Sequence, residues 1–232
     1  MEEPSTFSCL AAALGRALAG KLPGREAQLS MAPEGRELPP PENVAATARH
    51  AGVLVLLYPR EEKPHLLLTR RTGTVAFHKN QVSLPGGTRE AGETLLETAL
   101  REAAEEIGID RHEVRIIGTL TPLYIPVSGF LVSPFVGSLA AHPSFRPDPI
   151  EVAELIEVPI ARLLDAAIVG RETWSSAGKP REVPFFSIGG HKVWGATAMV
   201  LAELRELLRR LDTRDRRIGR DDERAVKGPA AS

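Results

Sequence analysis

Glu102, Glu105 and Glu106 follow Arg101 within the run GTREAGETLLETALREAAEEIGI, Gly87 to Ile109. Hard divalent cations such as Mg2+ or Mn2+ take oxygen ligands, and carboxylates and phosphates can supply them together. At about 100° per residue, a helix through this run places Glu102 and Glu106 about 40° apart with Glu105 beside them. Leu96, Leu100, Ala103 and Ile107 take the other side, at the i, i+4, i+7, i+11 spacing of a buried stripe. Gly108 suits the helix C-terminus. Three carboxylates near that end oppose the helix dipole and repel one another, each at a cost of about 0.3–1 kcal/mol when exposed. A bound cation reverses that sign. The alternative is a solvated acidic face, the ordinary condition of charged side chains.

The rest of the segment favours a metal platform. Pro85-Gly86-Gly87 predicts a sharp, side-chain-poor entry in which backbone carbonyls can approach an ion. Glu93 and Glu97, eight and four residues ahead of Arg101, can each brace its guanidinium. From Gly87 to Ile109 the fixed positions fit G-x5-E-x7-R-E-U-x-E-E-x-G-U, where U is apolar and Ala103 is a small occupant of its place. In this the chain resembles the Nudix hydrolases. The resemblance implies hydrolysis of a nucleoside diphosphate linked to another moiety, at the P–O–P bridge, with Mg2+ or Mn2+ as cofactor. It implies Glu102, Glu105 and Glu106 as metal ligands, the carbonyl of Gly86 as a further one, and Arg101 as the group that orients Glu102. Proton abstraction falls to Glu105 or to an acid from a later loop, and Glu151 in PDPIEVAE is the best placed by similarity. A surface carboxylate at a strand edge is the alternative for Glu151. Neither a serine nor a cysteine nucleophile is indicated: Cys9 lies outside this region and no G-x-S-x-G elbow occurs.

A second stretch, LLTRRTGTVAFHKNQVSLPGG from Leu67 to Gly87, is similar to the pattern L-L-T-x-R-[SA]-x3-R-x3-G-x3-F-P-G-G of the coenzyme A pyrophosphatase branch. Leu67, Leu68, Thr69, Arg71, Pro85, Gly86 and Gly87 agree with it. Thr72 stands in place of serine or alanine, Ala76 of arginine, Asn80 of glycine and Leu84 of phenylalanine. IEVAELIEVPIARLLD (Ile150 to Asp165) and VWGATAMVL (Val193 to Leu201) also resemble that branch. The similarity implies coenzyme A or an acyl-CoA as substrate. Arginine suits bidentate phosphate recognition and alanine supplies no charged donor. Ala76 therefore keeps ADP-ribose, NADH or another dinucleotide open as substrate. Arg70, Arg71 and Lys79 remain as nearby cations, Arg71 as a contact to the diphosphate or as an ordinary surface charge. Arg70 and His78 are the other substrate-binding candidates, against structural or solvated roles for each. A non-catalytic domain that binds nucleotide is the reading from a different class.

Composition bounds these readings. The chain has 232 residues, 43% hydrophobic and 25% charged, as in soluble globular proteins, with a net charge of −1. That balance gives no electrostatic case for nucleic acid or an acidic membrane. In the basic C-terminal stretch Asp212, Asp215, Asp221, Asp222 and Glu223 interleave with the arginines. One cysteine excludes an internal disulfide and fits a reducing compartment. Gly15 and Arg16 interrupt the apolar run near the start, Glu2 and Glu3 replace a basic leader, and no run approaches the length of a membrane span. The expected address is the cytoplasm, and the expected partner a small nucleoside diphosphate derivative. A homodimer stays open.

The elements that must position these residues can be read in turn. Residues 1–45 predict an amphipathic helix (5–20) and an irregular arm, Leu22 to Glu42, with five prolines. Residues 46–211 predict the catalytic domain. Its strands are Ala51 to Pro59 and antiparallel to it Pro64 to Arg71, then Gln81 to Leu84, Val114 to Pro126, Phe130 to Leu139 and Glu151 to Val158. A helical segment at Pro159 to Ala167, a hairpin at Pro184 to Trp194 around Gly189-Gly190, and a helix at Ala196 to Leu211 follow. Residues 212–232, eleven of 21 charged, predict a mobile tail. The fold class expected is α/β (α+β), a mixed sheet sandwiched between helices.

Overall fold

The computed structural model describes residues 6–35, 38–73, 81–176 and 179–225, without the side chains of 176, 179 and 213–225. The run Ala51 to Pro59 lies within β1 (Arg49–Arg60), which pairs antiparallel with β2 (Lys63–Arg71) as expected. On its other side β1 runs parallel to β7 (Phe130–Ser138). Around these lie β3 (Val82–Ser83), β4 (Gly86–Thr88), β5 (Arg115–Thr119), β6 (Leu123–Ile125) and β8 (Val152–Pro159), which complete an eight-stranded mixed sheet.

The apolar run of β1 is continuous because both of its faces are covered. Leu54, Leu56 and Tyr58 pack with Ala103 and Ile107 of α3 (Leu95–Ile107). Val55 and Leu57 point the other way, into a larger cluster shared with α1 (Thr6–Leu18) and α5 (Gly195–Ala225). This is the expected mixed sheet between helices. The stretch Val114 to Pro126 forms two strands rather than one. Thr121 between them turns its N–H to Glu203, and Pro122 has no N–H to offer a ladder.

The arm from Leu22 to Glu42 is not irregular throughout. It carries α2 (Gly24–Leu29) and a single 3-10 turn (Pro41–Asn43), and Met31 and Leu38 are buried in the larger cluster. What holds it is a carboxylate. Glu203 of α5 is fully buried and accepts from the Gly24 N–H, from Gln28 Nε2 at 2.9 Å, and from the N–H and hydroxyl of Thr121. Such a pin is tertiary and leaves no local sequence signature.

After α4 (Ile160–Leu164), β9 (Val169–Ser176), β10 (Lys179–Ile188) and β11 (His191–Trp194) make a separate three-stranded sheet. The hairpin at Gly189-Gly190 is as expected. β9 was not foreseen: its polar residues give no core-facing pattern, and pairing with β10 defines it. α5 continues past Leu211 to Ala225, into the stretch read as a mobile tail, and residues 226–232 lie outside the described residues. No described helix is long and apolar enough to cross a membrane.

Glu203→Gln would turn an amide donor toward groups that are themselves donors. The expected loss of unfolding free energy is about 2 kcal/mol, read by urea denaturation. An unchanged midpoint would remove Glu203 as the pin of the arm.

Candidate active site

Gly52 and Gly87 allow α3 to lie directly on the sheet, and Gly86 lets β4 press against β1. A Cβ at Gly52 of β1 would stand 2.2 Å from the Leu95 carbonyl oxygen, and one at Gly86 would meet the Gly52 carbonyl at 2.4 Å. One at Gly87 would stand 2.4 Å from Cδ of Glu102. The absence of side chains at this crossing therefore makes the space that the Glu102 carboxylate fills. The close approach also rotates the expected stripe: Ala99, Ala103 and Ile107 are fully buried, whereas Leu96 and Leu100 are half-buried. Gly52 was missed from the sequence, although an isolated glycine in an apolar strand is a known sign of close backbone approach.

Both ends of α3 are fixed. Thr94 and Glu97 form a reciprocal capping box at the start, and Gly108 takes the left-handed conformation at the end. Glu97 is thereby committed, and the brace of Arg101 is Glu93 instead. Arg101 grips it through Nε at 2.6 Å and a terminal nitrogen at 3.1 Å. The other terminal nitrogen of Arg101 donates to Glu102 at 3.0 Å and to Glu105 at 2.9 Å. Arg101 also reaches the carbonyl of Thr88. The guanidinium holds the Glu93 carboxyl well down, to about 2.

Glu106 has a different environment. Only 3% of its surface is exposed, and it accepts from Arg71 at 3.1 Å and from the Gly86 N–H at 3.2 Å. Arg71 donates in turn to Glu151 at 3.3 Å. Glu151 is brought there by the loop before β8. The N–H groups of Arg146 and Asp148 take the last carbonyls of α3, those of Ile107 and Glu106, at 2.9 Å each. Helix ends need such partners. Thr72 donates from its hydroxyl to the Ile150 carbonyl at 2.6 Å and from its N–H to the Glu151 carbonyl at 2.9 Å. Arg70 and Arg71 are consecutive in β2, so their side chains leave on opposite faces. Arg70 bonds to Glu154, which also meets His191.

The structure thus brings together Arg71, Gly86, Glu106 and Glu151, with Arg101, Glu102 and Glu105 alongside. It does not add Arg70 to that group. His78 lies outside the described residues, as do Ala76, Lys79 and Asn80. The parts that sequence reading missed are Gly52, the Thr72 clamp and the loop pinned to the end of α3.

Burial pushes the Glu106 carboxyl up to about 7, against the pull of Arg71 and the Gly86 amide, with the negative charges of Glu102 and Glu151 adding to the rise. Burial is also the largest cause raising Glu102, opposed by Arg101. Among the described residues no three acidic, histidine or cysteine side chains converge on one point as a ready cage. The donors nevertheless fit a hard cation in kind. They are carboxylate oxygens whose negative charges disfavour one another, and two arginines supply the compensating charge.

The NUDIX domain family profile matches residues 48–168, slightly more than half of the chain. The chain is 38% identical over 167 residues to an uncharacterised Nudix hydrolase NudL of Photorhabdus laumondii, covering 72% of this chain and 88% of that one. It is 37% identical over 170 residues to a NudL of Yersinia enterocolitica, covering 72% and 85%. A solved Nudix hydrolase of M. smegmatis, RenU, superposes on half of the chain with a TM-score of 0.43 and 23% identity. The chain belongs to the Nudix family, and it is a pyrophosphohydrolase of that family.

The Glu106 shift has a stability consequence with a defined sign. Its folded pKa lies above the ordinary 4.5, so the native state holds this proton more tightly than the unfolded chain. The stabilisation is full below pH 4.5 and is lost as pH rises through about 7, by about 3 kcal/mol at most. In metal-free buffer, the difference in unfolding free energy between wild type and Glu106→Gln should follow that curve. A difference that is flat from pH 4 to about pH 8 would contradict the burial of this carboxyl.

Proposed function

We propose that the chain hydrolyses the diphosphate linkage of coenzyme A or an acyl-CoA, with Mg2+ or Mn2+ held by Glu102, Glu105 and Glu106 and by the carbonyl of Gly86. The observation that carries the metal reading is Glu106. A carboxylate this buried, beside Glu102 and Glu151 and at the negative end of a helix, is costly as an anion unless positive charge is supplied. When bound, such an ion supplies charge neutralisation for phosphate oxygens and a water of lowered pKa.

The residues divide the remaining work. Arg101, locked by Glu93, orients Glu102 and Glu105 and does not reach toward substrate. Arg71 uses two of its five donor hydrogens on Glu106 and Glu151, which leaves three for a diphosphate oxygen. Glu151 is the better candidate to accept the proton of the attacking water. It shares Arg71 with Glu106, whereas the Glu105 side chain is 60% exposed and bonds to Arg101. Phosphoryl chemistry of this kind asks for positioning and neutralised charge rather than a covalent intermediate. Coenzyme A as the substrate rests on the stretch Leu67 to Gly87 and on Arg71 within it. Ala76 favours the second reading, ADP-ribose, NADH or another dinucleotide.

Two measurements test this. Glu106→Gln should keep the fold and lower metal-dependent turnover at least about tenfold, a barrier change of about 1.4 kcal/mol. Full turnover in a folded variant at saturating Mg2+ would remove Glu106 from the metal set. Coenzyme A, ADP-ribose, NADH and diadenosine polyphosphates, incubated separately and resolved chromatographically, test the substrate. Release of 3′,5′-ADP and 4′-phosphopantetheine is expected, and exclusive cleavage of ADP-ribose would overturn the coenzyme A assignment.

A further inference from the structure

Glu151 sits in a turn at residues 149–151, and its carboxylate does little to place itself. Among the described residues that carboxylate has one hydrogen bond, from Arg71 at 3.3 Å, and its side chain is 43% exposed. N–H···O bonds usually measure about 2.7–3.2 Å, so this one is long. The position of Glu151 therefore comes from its backbone. Thr72 holds the carbonyls of Ile150 and Glu151. The rest of the hold comes from Asp148.

Asp148 is half-buried and uses its N–H, its carbonyl and its side chain. The N–H donates to the Glu106 carbonyl at 2.9 Å. The carbonyl accepts from the N–H of Glu151 at 3.2 Å and from that of Val152 at 2.8 Å. Oδ1 accepts from the N–H of Ile150 at 2.8 Å. This last contact closes an Asx turn, in which a short side chain takes the place of a backbone acceptor. Pro147 and Pro149 stand on either side, each with a fixed φ and no N–H. Any residue type could make the backbone bonds. The Oδ1 bond needs a planar acceptor on a short side chain. It is exposed, so water can replace it at little cost to overall stability. Its loss would loosen the turn locally.

One residue thus joins the last turn of α3, which carries Glu106, to the turn that carries Glu151. We propose, on the reading of Glu151 as proton acceptor, that Asp148 is a positioning residue for hydrolysis. Its Oδ1 fixes the offset between Glu151 and the Glu106 end of α3. Asp148 touches no substrate in this role, and its charge has no part in it. Geometry alone matters, and a displacement of about 1 Å can cost about a hundredfold in rate.

The test measures kcat and KM at saturating Mg2+, on whichever of coenzyme A and ADP-ribose the wild type cleaves faster. Asp148→Ala should lower kcat at least about tenfold and leave KM within about twofold. Asp148→Asn keeps the acceptor without the charge and should stay within about threefold of wild-type kcat. Asp148→Glu keeps the charge, moves the acceptor one methylene outward, and should be about as slow as Asp148→Ala. It also serves as the second variant if Asp148→Ala does not fold, as judged by its urea midpoint. In a Glu151→Gln background, adding Asp148→Ala should change kcat by less than about twofold, because the group it positions is already gone. The proposal is overturned by wild-type kcat in Asp148→Ala or Asp148→Glu, or by an asparagine variant as slow as the alanine one. An undiminished effect of Asp148→Ala in the Glu151→Gln background would overturn it while leaving Glu151 in its role. Full turnover in Glu151→Gln alone would remove the proton acceptor, and this inference with it.

Discussion

The site depends on a buried carboxylate at the wrong end of a helix. Glu106 sits in the last turn of α3, where the dipole is negative, with 3% of its surface exposed. Arg71 from β2 and the Gly86 amide from β4 make that placement tolerable. Those two contacts tie the helix, the glycine turn and the central sheet to one oxygen pair. Removing positive charge from this point disfavours the anion. Adding positive charge there favours it.

The surrounding fold serves that point by allowing close approach. α3 can lie on the sheet only because Gly52 and Gly87 present no side chains, Gly86 lets β4 press against β1, and Glu102 fills the space that Gly87 leaves. Arg101 then orders the outer carboxylates from a fixed position, since Glu93 binds it twice and the capping box keeps Glu97 engaged elsewhere. The inner carboxylate answers to Arg71 and the outer ones to Arg101. A negative cluster divided between two guanidinium groups can exist without a cation and still have oxygen donors for one.

Legibility followed the range of the interactions. The strand β1, the helix α3, its end at Gly108 and the carboxylate cluster rest on spacing within one segment, and all were readable. The choice of Glu93 over Glu97 was not readable, because both stand at helical distance from Arg101 and capping decided between them. Glu151 was reached only by similarity, since Asp148, Thr72 and the carbonyls of Glu106 and Ile107 hold its loop from distant parts of the chain. Arg70 and Arg71 look equivalent in sequence, yet one meets Glu154 and the other Glu106.

By itself, the sequence determined which groups could do chemistry: a helix with three glutamates, an arginine to order them and a glycine turn to admit them. Local periodicity and residue type suffice for that. Only the tertiary structure decided which carboxylate is buried, which arginine faces it, and that the arm joins the core through Glu203. Burial and pairing arise between segments far apart in the chain, so no local pattern encodes them.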